Sequence, residues 1–351
     1  MRRHEHAGPV ALRAMQGLAA RTFPATGYRH IGDLAWNWCL ALDRFDACPT
    51  AVWTEGDRTL AWGWLELPDS LMLQVDPSRA QLADDVLAWA EQTASGRPLR
   101  VEVAGTESHL VKALEERGYE RSVDGPFMAC LDRPLTDLPD VPRLPDGYSI
   151  RAQRDDTDLA GRAAAHRAAF GSTRITTERH ARMRATWPYR PELDLVVTSP
   201  AGDVVAYCQG WYDAVNAVGV FEPVGTHPDH RRLGLARVVC TAVLHAFTRA
   251  GGRRAVVSSR GDAAYPVPKR LYESLGFASY TRTHTFVSGP ADFRGPVDQT
   301  RRRSAGATTT VPLHHERVER PCEPGQPYGP GVSAGCTPGC CRRVRCPGAA
   351  V

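Results

Sequence analysis

Residues 223–237 read Pro223-Val224-Gly225-Thr226-His227-Pro228-Asp229-His230-Arg231-Arg232-Leu233-Gly234-Leu235-Ala236-Arg237. The preceding residues 218–222 are mostly apolar, and residues 238–247 carry apolar side chains at helical spacing. Pro228 ends the strand, and Gly234 and Ala236 leave the first helical turn without large side chains. A phosphate placed there would meet free backbone N–H groups and the positive end of the helix dipole. The segment therefore predicts a strand, an anion-binding loop and a helix.

The loop differs from two common phosphate-binding motifs. The dinucleotide fingerprint needs three glycines and the P-loop ends in Gly-Lys-Ser/Thr, and this loop has neither pattern. On these residues alone, an ordinary strand-turn-helix junction with solvated Arg231 and Arg232 remains the alternative.

The composition is typical of a globular protein that binds neither membrane nor nucleic acid. The 351 residues are 42% hydrophobic and 23% charged, and no apolar run approaches the roughly 20 residues of a membrane span. Charged residues interrupt the N-terminal segment 10–23, so it is a poor secretory signal. Five of the ten cysteines are scattered through residues 1–290, a distribution that indicates incidental thiols. We expect a cytoplasmic protein.

The net charge of +4 lies in residues 291–351, which contain nine arginines and five acids. Residues 1–290 are therefore neutral, and a nucleic-acid partner is not expected. Residues 291–351 are rich in Pro, Gly, Ser, Thr and Arg, a composition that predicts disorder. Their Cys and His spacing matches no ordinary zinc finger or ribbon, so no metal is expected. A zinc or nucleic-acid function carried by this tail is a minor alternative.

The elements recur in the same order on the two sides of a proline-rich segment, 135–146. The predicted helices cover 9–22, 31–42, 81–93, 108–117, 158–170, 177–186, 238–247 and 268–274. The predicted strands cover 51–54, 59–65, 70–75, 99–103, 127–131, 148–151, 193–198, 204–212, 218–222, 255–259 and 283–287.

The first copy lacks the residues that carry chemistry in the second. Where the second copy has Arg231, the first has Ala80, and residues 80–85 contain two acids and no glycine. Carboxylates at that position would repel a bound phosphate. The first copy also has Leu114 where the second has Tyr272. We therefore expect only the second copy to bind an anionic cofactor.

Two motifs together resemble the GCN5-related N-acetyltransferase (GNAT) superfamily. They are Arg231-x-x-Gly234-x-Ala236 after a strand and the closing Leu271-Tyr272-x-x-x-Gly276-Phe277. Over 1–290 the chain is similar to tandem GNAT proteins with a degenerate N-terminal copy, the architecture of mycothiol synthase. This resemblance implies an α+β fold of two tandem GNAT-type domains, each a mixed, mostly antiparallel twisted sheet flanked by helices. The predicted organisation is a degenerate domain 1–134, a linker 135–146, a catalytic domain 147–290 and a disordered tail 291–351.

The resemblance also implies a donor and an acceptor. The donor is acetyl-CoA or a longer acyl-CoA, and the acceptor is the amine of a small molecule. The backbone of Val224, Gly225 and Thr226 is expected to meet the pantetheine amides. The pyrophosphate is expected at Arg231, Arg232, Leu233, Gly234, Leu235 and Ala236, since arginine adds charge-assisted hydrogen bonds. The protein is expected to be a monomer or a homodimer.

Three further residues have predicted roles in the reaction. Glu222 is either the base that takes the amine proton or a contact for the positively charged substrate. Tyr272 occupies the position of the family's general acid, which protonates the departing thiolate. Asp213 is a candidate contact for the amine. Because Pro223 cannot donate a ladder hydrogen bond, the strand is expected to splay there and open the cleft.

One departure from the family pattern supports a different function. The family often has Asn where this chain has Tyr265, and Pro266 and Pro268 stand at the start of the following helix. The alternative hypothesis is therefore a non-catalytic regulatory protein that binds acyl-CoA.

Overall fold

A computed structural model describes residues 1–5, 8–23, 27–41, 48–123 and 125–289 of the chain. These residues lie within one compact unit. The prediction that residues 291–351 are disordered falls outside the described residues. None of the helices in the described part is long and apolar enough to cross a membrane.

The helices follow the apolar periodicity and the capping residues of the sequence. Pro9 opens the first helix, where its missing N–H costs nothing, and the Thr176 hydroxyl caps the sixth by accepting from the Arg179 N–H at 3.2 Å. Each predicted helix is confirmed to within a few residues at its ends. The helices are α1 (Pro9–Thr22), α2 (Ile31–Ala41), α3 (Leu82–Thr93), α4 (Ser108–Glu116), α5 (Asp155–Phe170), α6 (Thr177–Arg184), α7 (Leu235–Arg249) and α8 (Val267–Ser274).

Thirteen strands form one continuous mixed sheet. They are β1 (Arg2–Glu5), β2 (Thr50–Glu55), β3 (Arg58–Glu66), β4 (Ser70–Val75), β5 (Arg100–Ala104), β6 (Glu120–Arg121), β7 (Met128–Pro134), β8 (Ser149–Ala152), β9 (Asp194–Thr198), β10 (Val204–Asp213), β11 (Val218–Thr226), β12 (Arg254–Arg260) and β13 (Ala278–Val287). The order is β1-β2-β3-β4-β5-β13-β7-β12-β11-β10-β9-β8, with β6 beside β13. The pairs β4–β5 and β11–β12 are parallel and the other pairs antiparallel, so the predicted fold class is confirmed.

The two halves of the chain exchange their last strands. Strand β7, from the first half, pairs with β12 and β13 of the second half. Strand β13, from the second half, pairs in turn with β5 of the first. The predicted boundaries at 134 and 147 remain predictions, but a segment 147–290 by itself lacks the strand that lies between β12 and β13. The sheet therefore does not divide where the linker divides the sequence.

Helix α7 is fixed against β10 and β11 by close packing. Its Phe247 ring lies 5.7 Å from the ring of Phe221 on β11. A Cβ atom at Gly219 would lie 2.5 Å from the Phe247 ring, so glycine is required for this approach. Burial of one such aromatic side chain stabilises the fold by about 1.5–3 kcal/mol. This packing holds the first turn of α7 at the end of β11.

Candidate active site

A cleft opens where β11 separates from its two neighbouring strands. Cys208 of β10 pairs with Val224 and Gly210 pairs with Phe221, so Glu222 and its successor face a single residue of β10. Two residues opposite one constitute a β-bulge. On its other edge, β11 pairs with β12 only over 218–220. The predicted splay at Pro223 is therefore confirmed, and the edge of β11 that faces β12 is unpaired from residue 221 onward.

The unpaired edge includes Val224, Gly225 and Thr226, the predicted pantetheine contacts. Backbone groups on an open strand edge can bind an extended ligand as an additional strand would. Gly225 also has a packing role, because a Cβ atom there would lie 2.3 Å from the hydroxyl oxygen of buried Tyr207. Glycine is thus needed at position 225 whether or not a cofactor is bound.

The loop before α7 has the backbone conformation of an anion site. Arg232 and Gly234 have left-handed φ values of 64° and 76°. In the described chain, the N–H groups of Arg232, Leu233 and Gly234 make no backbone hydrogen bond. The next N–H groups belong to Leu235 and Ala236 at the start of α7, where the helix dipole favours negative charge. Leu235 offers only its backbone, because its side chain is buried in the core.

The two predicted loop arginines differ in their contacts. Arg231 donates from Nη2 to the Ala169 carbonyl at 2.9 Å and from Nε to the Thr226 carbonyl at 3.4 Å. It therefore braces the loop against the end of α5. Arg232 is exposed and has no side-chain partner within the described ranges. Of the two, Arg232 is the cation that is free for a phosphate.

The Glu222 side chain is half-buried and makes no hydrogen bond to a described residue. It follows Val218 and Val220 on one face of β11, the face that α2 covers. Burial raises the pKa of Glu222 to about 8, and nearby Asp33 raises it further. The Glu222 carbonyl accepts a hydrogen bond from Trp211 Nε1 at 2.6 Å. The ionised carboxylate is therefore a stronger base than an ordinary glutamate, on a strand whose backbone Trp211 holds at this residue.

Tyr272, on α8, is 6% exposed and packs against Phe221 and Phe277 at ring distances of 6.4 and 6.0 Å. Burial raises the pKa of Tyr272 well above its ordinary value, and the charge of Glu222 contributes to this shift. Its hydroxyl has no hydrogen-bond partner among the described residues. The neutral phenol is therefore a proton donor within electrostatic reach of Glu222.

Asp33 belongs to this site, although no motif in the sequence pointed to it. It lies in the first turn of α2, and its Oδ2 accepts from the His30 N–H at 2.9 Å. Burial raises the pKa of Asp33 to about 6. The predicted helix 31–42 located Asp33 in the chain, but only the packing of α2 on β11 brings it near Glu222.

Asp213 is wrong as a predicted contact for the amine. It is 2% exposed, and its Oδ1 accepts from the backbone of Val215 at 2.9 Å. Its Oδ2 accepts from Asn216 Nδ2 at 2.6 Å. The carboxylate stabilises the turn after β10 and is not available to a substrate.

The corresponding loop of the first half is built around acids. Asp76 accepts from the Ser78 N–H at 3.1 Å and pairs with Arg58 at 2.9 Å. Asp84 and Asp85 occupy the first turn of α3, where the second half has no acid. These carboxylates take the place of a bound anion.

Residues 159–277 match the family model described as the acetyltransferase (GNAT) family. This segment is therefore similar to GNAT domains. Mycothiol acetyltransferase of Streptomyces coelicolor is 28% identical over 222 residues, which cover 61% of this chain and 69% of the relative. The protein is an acyltransferase, as the sequence predicted.

Two solved structures share the fold of the whole described chain. A tandem GNAT protein from the clavulanic acid biosynthesis pathway superposes with a TM-score of 0.56 at 19% identity, over 85% of this chain and 99% of that chain. A GCN5-related N-acetyltransferase from Sphaerobacter thermophilus has a TM-score of 0.54 at 19% identity, over 82% and 95% of the two chains. The predicted tandem GNAT architecture is therefore confirmed.

Proposed function

We propose that this GNAT protein transfers an acetyl group from acetyl-CoA to the amine of a small molecule. The observation that carries this proposal is the pair formed by Glu222 and Tyr272. Both side chains lie where β11 separates from β12, both lack a hydrogen-bond partner in the described chain, and Glu222 acts electrostatically on Tyr272. A base and an acid at one cleft are what acyl transfer to an amine requires.

The unpaired edge of β11 and the loop before α7 support acetyl-CoA as the donor, since the GNAT family uses this compound. Val224, Gly225 and Thr226 would hold the pantetheine arm by backbone hydrogen bonds. The free N–H groups of residues 232–236, together with the Arg232 side chain, would bind the pyrophosphate. The thioester would then lie at the bulge, beside Glu222.

The reaction would proceed by direct attack within a ternary complex. Glu222 takes a proton from the acceptor amine as the nitrogen attacks the thioester carbonyl carbon. The carbon–sulfur bond then breaks, and the Tyr272 hydroxyl donates its proton to the departing thiolate. Holding both reactants in one cleft removes most of the entropic cost of this bimolecular step. The products are the N-acetylated amine and free CoA.

The test is release of CoA thiol from acetyl-CoA by the purified protein in the presence of a panel of small amines. Calorimetry with acetyl-CoA measures binding separately. We expect micromolar binding and amine-dependent thiol release. Binding of acetyl-CoA without transfer to any amine, unchanged in Glu222→Gln, would favour the regulatory acyl-CoA-binding alternative. If the protein neither binds acetyl-CoA nor transfers its acetyl group, both functions are excluded.

A further inference from the structure

The segment 28–33 of the first half covers the face of β11 that carries Glu222. His30 Nε2 lies 3.2 Å from a carbonyl oxygen of β11. Gly32 approaches Trp211 so closely that a Cβ atom there would lie 2.2 Å from the Trp211 Cβ. Trp211 in turn holds the Glu222 carbonyl. The first half therefore forms one wall of the cleft in which the amine would react.

Arg29, in this wall, is a buried cation. It is 8% exposed, and its guanidinium lies 4.8 Å from the centre of the Tyr28 ring. It makes no hydrogen bond or ion pair with any residue that the structure describes. A guanidinium has five N–H donors, and none of those of Arg29 is used by a described residue. Oxygen atoms of a ligand would accept from them.

Two glutamates act electrostatically on Arg29 without supplying hydrogen bonds. Glu102 and Glu107 both act electrostatically on the guanidinium. Glu102 Oε1 accepts from the Tyr28 hydroxyl at 3.1 Å, and Glu107 Oε2 accepts from the Ala104 N–H at 2.9 Å. A planar guanidinium with free donors matches a carboxylate, which accepts two parallel N–H bonds.

Asp33 connects Arg29 to the reacting end of the cleft, because it lies in the first turn of α2, the helix that covers the Glu222 face of β11. Its charge also acts on both Arg29 and Glu222. Its Oδ2 accepts from His30 N–H, while Oδ1 has no partner in the described chain. Two carboxyl groups near each other, both with free oxygens, are satisfied by an ammonium or amine between them. The wall thus offers Arg29 for a carboxylate and, together with Glu222, Asp33 for an amine.

We infer that the acceptor is an amino acid, whose amine binds between Glu222 and Asp33 and whose carboxylate binds Arg29. This inference rests on the proposed function and specifies its substrate class. The degenerate half of the chain then has a direct role, because it supplies both Arg29 and Asp33 to the acceptor.

The experiment compares the twenty amino acids, each with the amine that remains when its α-carboxylate is removed, at saturating acetyl-CoA. With the wild-type protein we expect kcat/KM at least tenfold higher for an amino acid than for its matched amine. Arg29→Gln is expected to raise KM for that amino acid at least tenfold. The KM for the matched amine should remain within about twofold of the wild-type value. Arg29→Lys, which keeps the charge but loses the planar fork, should give an intermediate KM. Arg97→Gln, an exposed arginine of the same half, is the control and should change neither.

Each outcome decides a separate question. Equal use of amino acids and matched amines by the wild-type protein would overturn the inference and leave the proposed function intact. Loss of activity toward both acceptors in equal measure in a folded Arg29→Gln protein would assign Arg29 a structural role and also overturn it. Absence of transfer to every amine would count against the proposed function itself. The comparison of amino acids with their matched amines on the wild-type protein tests the inference even if the variants do not fold.

Discussion

Glu222 is expected to set the pH dependence of the reaction. Its pKa is about 8, and only the ionised form accepts a proton. We therefore expect kcat/KM to rise as the pH increases through about 8. Glu222→Gln should remove this rise and lower kcat/KM roughly 100-fold. Steady-state rates from pH 6 to 9.5 check both effects, with Glu55→Gln on the surface as control. A retained rise in the variant would assign the titration to another group.

The raised pKa of Glu222 also has a consequence for stability. The folded protein holds this proton more tightly than the unfolded chain, whose glutamate has the ordinary pKa of about 4.3. The contribution of Glu222 to the free energy of unfolding is therefore full below that pH and is lost as the pH rises toward about 8. Glu222→Gln should raise Tm relative to wild type at pH 9 and change it much less at pH 5. Thermal melts at the two pH values measure this independently of activity.

Tyr272→Phe separates chemistry from packing. The hydroxyl has no partner among the described residues, while the ring packs against Phe221 and Phe277. We expect Tm to change by no more than about 2 °C and kcat to fall roughly 10- to 100-fold. Kd for CoA by calorimetry should remain within about twofold. A large loss of stability with unchanged kcat would make Tyr272 a packing residue only.

Asp33 is expected to tune Glu222 from the other half of the chain. Removing its charge in Asp33→Asn takes away one cause of the raised pKa, while burial, the larger cause, remains. The rise of kcat/KM with pH should therefore move to lower pH without reaching the ordinary range of a glutamate. Asp57→Asn, in the turn between β2 and β3, is the control. An unshifted profile would show that Asp33 does not act on the reacting base.

At the scale of elements, the loop before α7 allows a matched pair of glycine variants. Gly234 and Gly56 both have positive φ values, 76° and 56°, with open space around an added Cβ. Alanine at either position should cost about 1 kcal/mol of stability, because the left-handed conformation is strained for it. Only Gly234→Ala should also weaken acetyl-CoA binding, about tenfold, since it redirects the N–H groups of the loop. Equal CoA affinity in the two variants would contradict this role for the loop.

The sequence predicts the positions of helices and strands better than it predicts which of them pack against each other. Apolar periodicity and turn residues located the α-helices of the described residues, but β1 and β6 were not predicted because their residues are charged and do not alternate. The same local reasoning located Glu222, Tyr272 and the loop, since these lie on one strand, loop and helix. It did not find Asp33 or Arg29, because their position depends on packing between segments almost 190 residues apart. It also did not show that Arg231 binds backbone carbonyls, which depends on where α5 ends.

At the scale of the whole molecule, the exchanged strands predict that the two halves unfold together. Cys48 of the first half and Cys240 of the second are both buried. In increasing urea, pulsed thiol labelling read by peptide mass spectrometry should give both cysteines the same midpoint. A midpoint for Cys48 clearly below that of Cys240 would show two separate transitions. Far-ultraviolet circular dichroism on the same samples should match the common midpoint.

The strand exchange also imposes an order of events during synthesis on the ribosome. Strand β5 is made early, yet its neighbour β13 lies at 278–287, near the end of the described chain. Until that strand emerges, the first half presents an open sheet edge, which is the kind of edge that pairs with the wrong chain. Pairings between distant segments also form slowly. A nascent chain therefore carries an open sheet edge for as long as residues 278–287 have not been made.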